Sequence, residues 1–314
     1  MPSLGIKLEV GRSSTSSGAP SGGGVAGFRI DVLDTHANIL ARTGDAVGVI
    51  AYGTDTEDIY VYDGASWQYY ENTPPFSNTY SVEFDGTDDY IDAGSSPSSL
   101  IVEGLSIWFK PDVTYGSGTL GYLLSFGGSD DGIALGGDHF GPVTDEVITV
   151  VNANHLWSYT GSGVTLSANT WHHLGVRWES SSSSTNSGNA GYDIYLDGTK
   201  VGNSFGTYSS GNGSKITTSR ITVGARNRSG TIGTYFFNGK IDEFSVFTSA
   251  ISESDLLAIY NSGVPADLTD YSPTLWWRMG DNNSGSGTTI TDQGSGGNDG
   301  TLTNGPTFST DVPS

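Results

Sequence analysis

"SVEFDGTDDYIDAG", Ser81 to Gly94, holds five acidic residues, two glycines and few apolar side chains. Three readings compete for it: a metal site, a catalytic carboxylate group, or an acidic strand–turn–strand. Asp85-Gly86 can make the turn. "DYIDAG" can be the return strand, with Tyr90 and Asp92 on one face and Ile91 on the other. A hairpin with acidic residues facing solvent accounts for most of the cluster. The metal reading is Ca²⁺, which takes about six to eight oxygens from carboxylates and carbonyls, and acidic glycine turns supply these. The sequence contains no twelve-residue Ca²⁺ loop.

The surroundings of this stretch are β-rich. From about Asn78 onward, short runs of strand length alternate with Gly/Asp/Asn/Ser turns: "GLSIWFKP", "GYLLSFG", "EVITVVN", "WHHLGVRW", "YDIYLDGTKVG", "RITVGA", "KIDEFSVF" and "TLWWRMG". Asp197-Gly198 marks a tight hairpin. One helix is expected, in "SESDLLAIYNSG". Ser252 is its N-cap, Asp255 completes a capping box, Leu256, Leu257 and Tyr260 form its apolar stripe, and Gly263 ends it. Many strands with one short helix predict an all-β, two-sheet jelly-roll sandwich over residues 76–314.

Two segments precede it. Residues 1–24 are Ser/Gly-rich and read as a flexible arm or linker. The alternation of Leu4, Ile6 and Leu8 also fits a strand that adds to a partner's sheet. Residues 25–75 read as a small β-hairpin module with Asp63-Gly64 between strand-like runs. A unit of that size builds little core alone, so oligomerisation is expected there.

The chain has 314 residues, with 13 Lys+Arg against 34 Asp+Glu and a net charge of −21. Nucleic acid is an improbable partner for such a surface, because phosphate binding needs clustered cations. No stretch has the roughly 18 apolar residues of a membrane span, and the N-terminus lacks the apolar core of a signal peptide. There are no cysteines, which removes disulfides and thiolate chemistry.

Taken in order, "YSVEFDGTDDYIDAG", "LSIWFKP", "NTWHHLGVRW", "YDIYLDGTKVG", "ITVGA" and "FFNGKIDEFSVFTSAISESDLLAIYNSG" resemble the successive strands of laminin-G-like, concanavalin A-like jelly-roll domains. The resemblance covers about residues 78–263. The stretch from "LWWRMGDNNSGSG" onward is similar to the tail of such domains in bacteriophage virion proteins. "GTDTEDIYVYDGASWQYY" looks like a short module of phage tail-fibre and appendage proteins. For this chain the resemblance implies a structural Ca²⁺ beside the "GKIDEFSVF" strand, with Asp85 and Asp242 as ligands. It speaks to fold more than to function, because this fold hosts lectins, adhesins, glycosidases and capsid appendages.

The catalytic reading fails on spacing. Glycosidases of this fold carry Glu-x-Asp-x-x-Glu on one strand, and the triplet is absent here. Asp242 and Glu243 are adjacent, so on a regular strand they face opposite sides. The same alternation separates His172 from His173. No enzyme is expected. A glycan platform is sought instead at the rim, in His139 and Phe140 and in Trp157 and Tyr159, whose aromatic faces could stack on sugar rings. Trp108, Trp171 and Trp178 read as core. Trp276 and Trp277 are adjacent, so one of them must leave the core face, where a protein contact is expected.

The expectation is therefore a virion structural protein displayed on the particle surface. It would be joined to other virion proteins by its arm and module, and bind a host-surface glycan through its jelly roll. It would be a homo-oligomer, trimeric if a fibre. A capsid decoration protein without glycan binding, a glycan-active enzyme and a secreted bacterial adhesin are the alternatives.

Overall fold

The structure, a computed structural model, describes residues 30–55, 59–70, 76–94, 97, 99–115, 119–128, 131–136, 148–151, 157–159, 164–179, 191–202, 204–205 and 215–314. The chain divides into two units, residues 1–75 and 76–314. In the first, β1 (Val32–Asp34), α1 (His36–Leu40), β2 (Ile50–Gly53), β3 (Ile59–Tyr62) and β4 (Trp67–Tyr70) follow one another. They form a four-stranded sheet in sequence order, with β1 parallel to β2 and the rest antiparallel. The expected turn is there: the Asp63 carboxylate accepts the backbone N–H of Ala65 and Ser66, and Gly64 takes a φ of 101°. Ile39, Ala51, Tyr60, Tyr62 and Trp67 make its small core. Leu4, Ile6 and Leu8 lie outside the described residues.

The second unit opens with β5 (Ser81–Asp85), β6 (Tyr90–Asp92), β7 (Gly104–Pro111), β8 (Gly121–Gly127), β9 (Asp131–Leu135), β10 (Ile148–Val151) and β11 (Trp157–Tyr159). Then come β12 (His172–Glu179), β13 (Gly191–Leu196), β14 (Thr199–Gly202), β15 (Ser204–Phe205), β16 (Thr222–Val223), β17 (Arg226–Arg228), β18 (Thr231–Thr234) and β19 (Asn238–Phe247). After α2 (Glu253–Tyr260) the chain adds β20 (Leu275–Trp277), β21 (Thr289–Ile290), β22 (Gly300–Thr303) and β23 (Thr307–Ser309). One sheet has nine strands in the order β15-β11-β10-β9-β8-β16-β6-β22-β21. The other has eight, in the order β14-β13-β12-β7-β19-β5-β23, with β20 also on β19. The result is the expected two-sheet jelly roll. Its non-sequential strand order is that of a fold closed by long crossings between sheets.

The stretch at Ser81–Gly94 is not a hairpin. β5 pairs with β19 and β23, whereas β6 pairs with β16 and β22 in the other sheet. The acidic turn is a corner where the chain passes between sheets. The alternation within β6 is as read: Ile91 is buried, and Tyr90 and Asp92 are half-buried.

Between the sheets, Leu105, Ile107 and Phe109 of β7 meet Leu123, Ile133, Ile241 and Trp277 in the main core. Ser106 and Trp108, out of phase with these residues, face the other side. That outer side carries a second apolar layer of Tyr195, Phe247, Leu256, Ile259, Leu268 and Trp276. The helix supplies Leu256 and Ile259. Gly175 of β12 lets it approach, because a Cβ there would stand 2.9 Å from Leu256. The Ser252 cap forms as expected, accepting the Asp255 N–H at 3.0 Å. Two details differ. Leu257 is exposed and Ile259 takes its place on the buried face, and Asn261, rather than Gly263, is the left-handed C-cap.

This layer corrects the reading of the tryptophan pair. Trp276 and Trp277 do face opposite sides of the sheet, but both sides are covered. Trp277 is fully buried in the main core and Trp276 is 6% exposed in the second layer, so neither presents a free ring to a partner.

Candidate functional site

The corner after β5 forms a shallow acidic hollow. The Asp85 carboxylate accepts the Thr87 N–H at 2.7 Å, Gly86 turns the chain at a φ of 75°, and the Asp89 carboxylate accepts the Asp85 N–H at 3.0 Å. These bonds gather Asp85, Asp88 and Asp89 so that one carboxylate oxygen of each lies within 4.8 Å of the others. Glu83, Asp112, Asn238 and Asn304 line the same hollow of about 290 Å³. Burial, then the neighbouring charges of Asp85 and Asp88, hold Asp89 above its ordinary carboxylate range. An all-oxygen set built around three crowded carboxylates is what a hard cation such as Ca²⁺ takes. Asp242 does not belong to this set. Asp85 pairs with Asn238 on β19, and Asp242 stands four residues further along, roughly 13 Å at strand rise. The expected Asp85–Asp242 ligand pair therefore does not assemble.

Asp242 belongs to a buried ionic cluster. The pairing of β19 with β7 slips between Asp242 and Ser245, and Glu243 in the bulge takes a φ of 44°. The bulge cancels the alternation that would have separated the two acids. Asp242 is fully buried and Glu243 is 3% exposed. Asp242 accepts from the Asn78 side chain at 2.8 Å. Glu243 accepts from Trp276 Nε1 at 2.5 Å and from Arg278 Nε at 3.1 Å. Arg278 also binds Asp281 at 2.9 Å and the Ser77 carbonyl, and it lies 4.3 Å from the Phe76 ring centre. Burial, then the Glu243 charge, raises Asp242 well above its usual range. Burial pushes Glu243 up to about 7 against the opposing pull of Arg278. With its two acids on β19 buried, this cluster ties the start of the unit to β19 and β20. It is not a cleft for a substrate.

A second hollow, of about 380 Å³, lies on the outer side of the eight-stranded sheet beyond the C-terminus of α2. It is lined by Trp108, Thr170, Trp171, Asp197, Tyr260, Gly263 and Ser314. The aromatic and acidic side chains are held in place. Trp108 and Tyr260 stack with ring centres 5.9 Å apart and planes 23° apart, and the buried His173 ring lies 4.9 Å from Trp108. Trp171 is half-buried and donates its Nε1–H to Asp311 at 3.1 Å. Asp197 sits in the expected two-residue turn, with a φ of 49° followed by Gly198 at 73°. Gly198 is required by packing as well, because a Cβ there would stand 2.5 Å from the Tyr260 ring. The Asp197 oxygens accept from His173 N–H and His172 Nδ1, each at 2.8 Å. His173 donates or accepts at Ser106 Oγ, 2.8 Å away, and burial lowers its pKa to about 3, so it is a neutral packing group. The half-buried Trp171 and Tyr260 rings offer apolar surface beside a carboxylate fixed in direction.

The sequence pointed elsewhere. His139 and Phe140 lie outside the described residues. Trp157 and Tyr159 are placed by their backbone in β11, paired with β10 and β15. Trp171, read as core, is instead half-buried and lines the second hollow, whereas Trp108 is buried as read, 3% exposed, but on the outer side of the sheet beside that hollow. A signal was present: Trp108 stands between Ile107 and Phe109, so with those two inward it must face outward.

A family profile described as the concanavalin A-like lectin/glucanases superfamily matches residues 85–257. No curated protein matches the chain. Among solved structures, the chain is similar to a Bacteroides ovatus protein provisionally assigned to carbohydrate binding. The identity is 18% and the TM-score 0.52, covering 85% of this chain and 71% of that one. A heptameric SAP-like pentraxin from Limulus polyphemus shares 13% identity at a TM-score of 0.35, over 58% of this chain and 82% of its own. The CBM40 of a Ruminococcus gnavus IT-sialidase, bound to α2,3-sialyllactose, shares 14% at 0.37, over 59% of this chain and 100% of its own. At these identities the likeness is one of fold.

Proposed function

Because the chain belongs to the concanavalin A-like lectin/glucanases superfamily, we propose that it is a non-catalytic glycan-binding protein whose sugar sits in the hollow of Trp171, Tyr260 and Asp197, with the buried Trp108 beneath. The observation that carries this reading is the pairing of aromatic faces with a fixed acceptor in one cavity. The C–H face of a pyranose stacks on an indole or phenol ring, and its hydroxyls donate to a carboxylate. Binding without hydrolysis is supported by the acid count. Among the described residues, Asp197 is the one acidic side chain lining the hollow, whereas glycosidases use two, roughly 5–9.5 Å apart.

Trp171→Ala and Asp197→Asn are each expected to weaken glycan binding at least about tenfold, in line with loss of a central anchor. The full chain on a glycan array, followed by titration of the best binder, measures this, with melting curves confirming that both variants fold. Unchanged affinity in both variants would place the sugar elsewhere.

The acidic corner is the proposed Ca²⁺ site, held by Asp85, Asp88 and Asp89. Its role there is to relieve the crowding of three carboxylates and stiffen the crossing between sheets. Calcium at about 100 times its Kd should add about 2.7 kcal/mol of stability. The melting temperature is expected to rise in CaCl₂ over EDTA, and Asp88→Asn to remove the rise. Equal melting in the two buffers would sink the site.

The setting we propose is the surface of a bacteriophage particle, with residues 1–75 as the attachment and oligomerisation segment and many copies supplying avidity. Its support is the resemblance of the small unit and of the stretch after Leu275 to virion proteins. Antibody labelling of particles tests it, and absence of label would favour a secreted adhesin.

A further inference from the structure

Resting on that reading, we infer that the hollow selects neutral and amino sugars and rejects anionic ones such as uronic and sialic acids. The selection comes from Asp197 and from what surrounds it. Asp197 takes one hydrogen bond on each oxygen, from His173 N–H and His172 Nδ1. The remaining lone pairs can only accept, so the ligand group that meets them must donate. A sugar hydroxyl or ammonium does so, and a carboxylate does not.

The histidine does not cancel the charge. His172 Nε2 accepts the Ser167 N–H at 3.2 Å, so the ring carries its hydrogen on Nδ1 and is the neutral tautomer. The pair therefore keeps one negative charge. Asp311, on the far side of Trp171, is matched by Lys110 at 2.7 Å and adds none. Among the described residues, no lysine or arginine lines the hollow. The chain's net charge of −21 acts in the same direction at long range. An amino sugar gains from the same features, because its ammonium can meet Asp197 and the aromatic faces together. At about 380 Å³ the hollow admits roughly one or two pyranose rings.

The test uses the full chain at low salt with intrinsic tryptophan fluorescence as the readout. Neutral sugars are titrated beside their anionic counterparts: glucose and glucuronic acid, galactose and galacturonic acid, lactose and 3′-sialyllactose, with glucosamine added. The neutral member of a bound pair is expected to bind about tenfold more tightly or better, and the gap to shrink in 1 M NaCl. Glucosamine should bind at least as well as glucose. Asp197→Asn should narrow the gap. Thr170→Arg, at an exposed lining position whose change leaves the Asp197 contacts intact, should narrow or reverse it. Equal or tighter binding of the acids, lost in Trp171→Ala, would overturn the selectivity while leaving a glycan site in place. Binding of no sugar in any pair would overturn the glycan reading itself.

Discussion

Replacing Arg278 with methionine is expected to lower stability by about 3–5 kcal/mol at pH 8, the cost of leaving buried charge unpaired. Among the described residues, Arg278 is the one cation bonded to Glu243 and Asp281, and Asp242 lies beside Glu243. Methionine keeps an apolar stem against Phe76 and Trp276 but removes the charge. The loss should shrink in mild acid. Glu243 titrates near 4.5 when free and near 7 in the folded protein, so folding takes up a proton between those values. Its stabilising contribution is fully present below about 4.5 and is lost as the pH rises through 7. The wild-type protein should accordingly melt higher at pH 5.5 than at pH 8, with Glu243→Gln flattening that difference. Combining Glu243→Gln with Arg278→Met should recover part of the loss, which urea melts of the single and double variants would measure. A loss below about 1 kcal/mol, equal at both pH values, would mean that Arg278 carries no buried charge balance.

The fold was legible because its signals are local. Strand lengths, the Asp197-Gly198 turn and the Ser252 cap each depend on a few neighbouring residues, and each appears where expected. What could not be read depends on partners distant in sequence. Nothing in Ser81–Gly94 says that β5 pairs with β19 and β6 with β16, so a corner looked like a hairpin. The bulge at Glu243 is fixed by packing against β7 and β20, so alternation gave the wrong neighbours for Asp242. The candidate sugar hollow is the extreme case. Thr170 and Trp171 precede β12, Asp197 follows β13, and Tyr260 ends α2, and only the packing of the helix on the sheet brings them together. Sequence could mark Trp108 as facing away from the main core; it could not show that this outer face is closed over Trp108 and Trp276 and opens beside Trp171.

Trp277 and Trp276 test that last distinction. Trp277→Ala is expected to cost about 3–5 kcal/mol, because a fully buried indole leaves a cavity that the sheets cannot close. The ring packs edge-on against Phe244 at 5.7 Å, its Nε1–H donates to the Asn298 carbonyl, and Gly300 lies where any larger residue would strike it. Trp277→Phe keeps the contact with Phe244 and removes the indole hydrogen bond to the Asn298 carbonyl, so about 1 kcal/mol is expected. Trp276→Ala removes the Glu243 hydrogen bond and the stack on Phe76, so its cost should grow between pH 5.5 and pH 8 while that of Trp277→Ala stays level. In all three variants the oligomeric state, followed by sedimentation, should match the wild type. A change in oligomer with an unchanged melting temperature would return either ring to an interface. Loss of stability with unchanged assembly leaves both as the seams that join β20 to the two apolar layers of the sandwich.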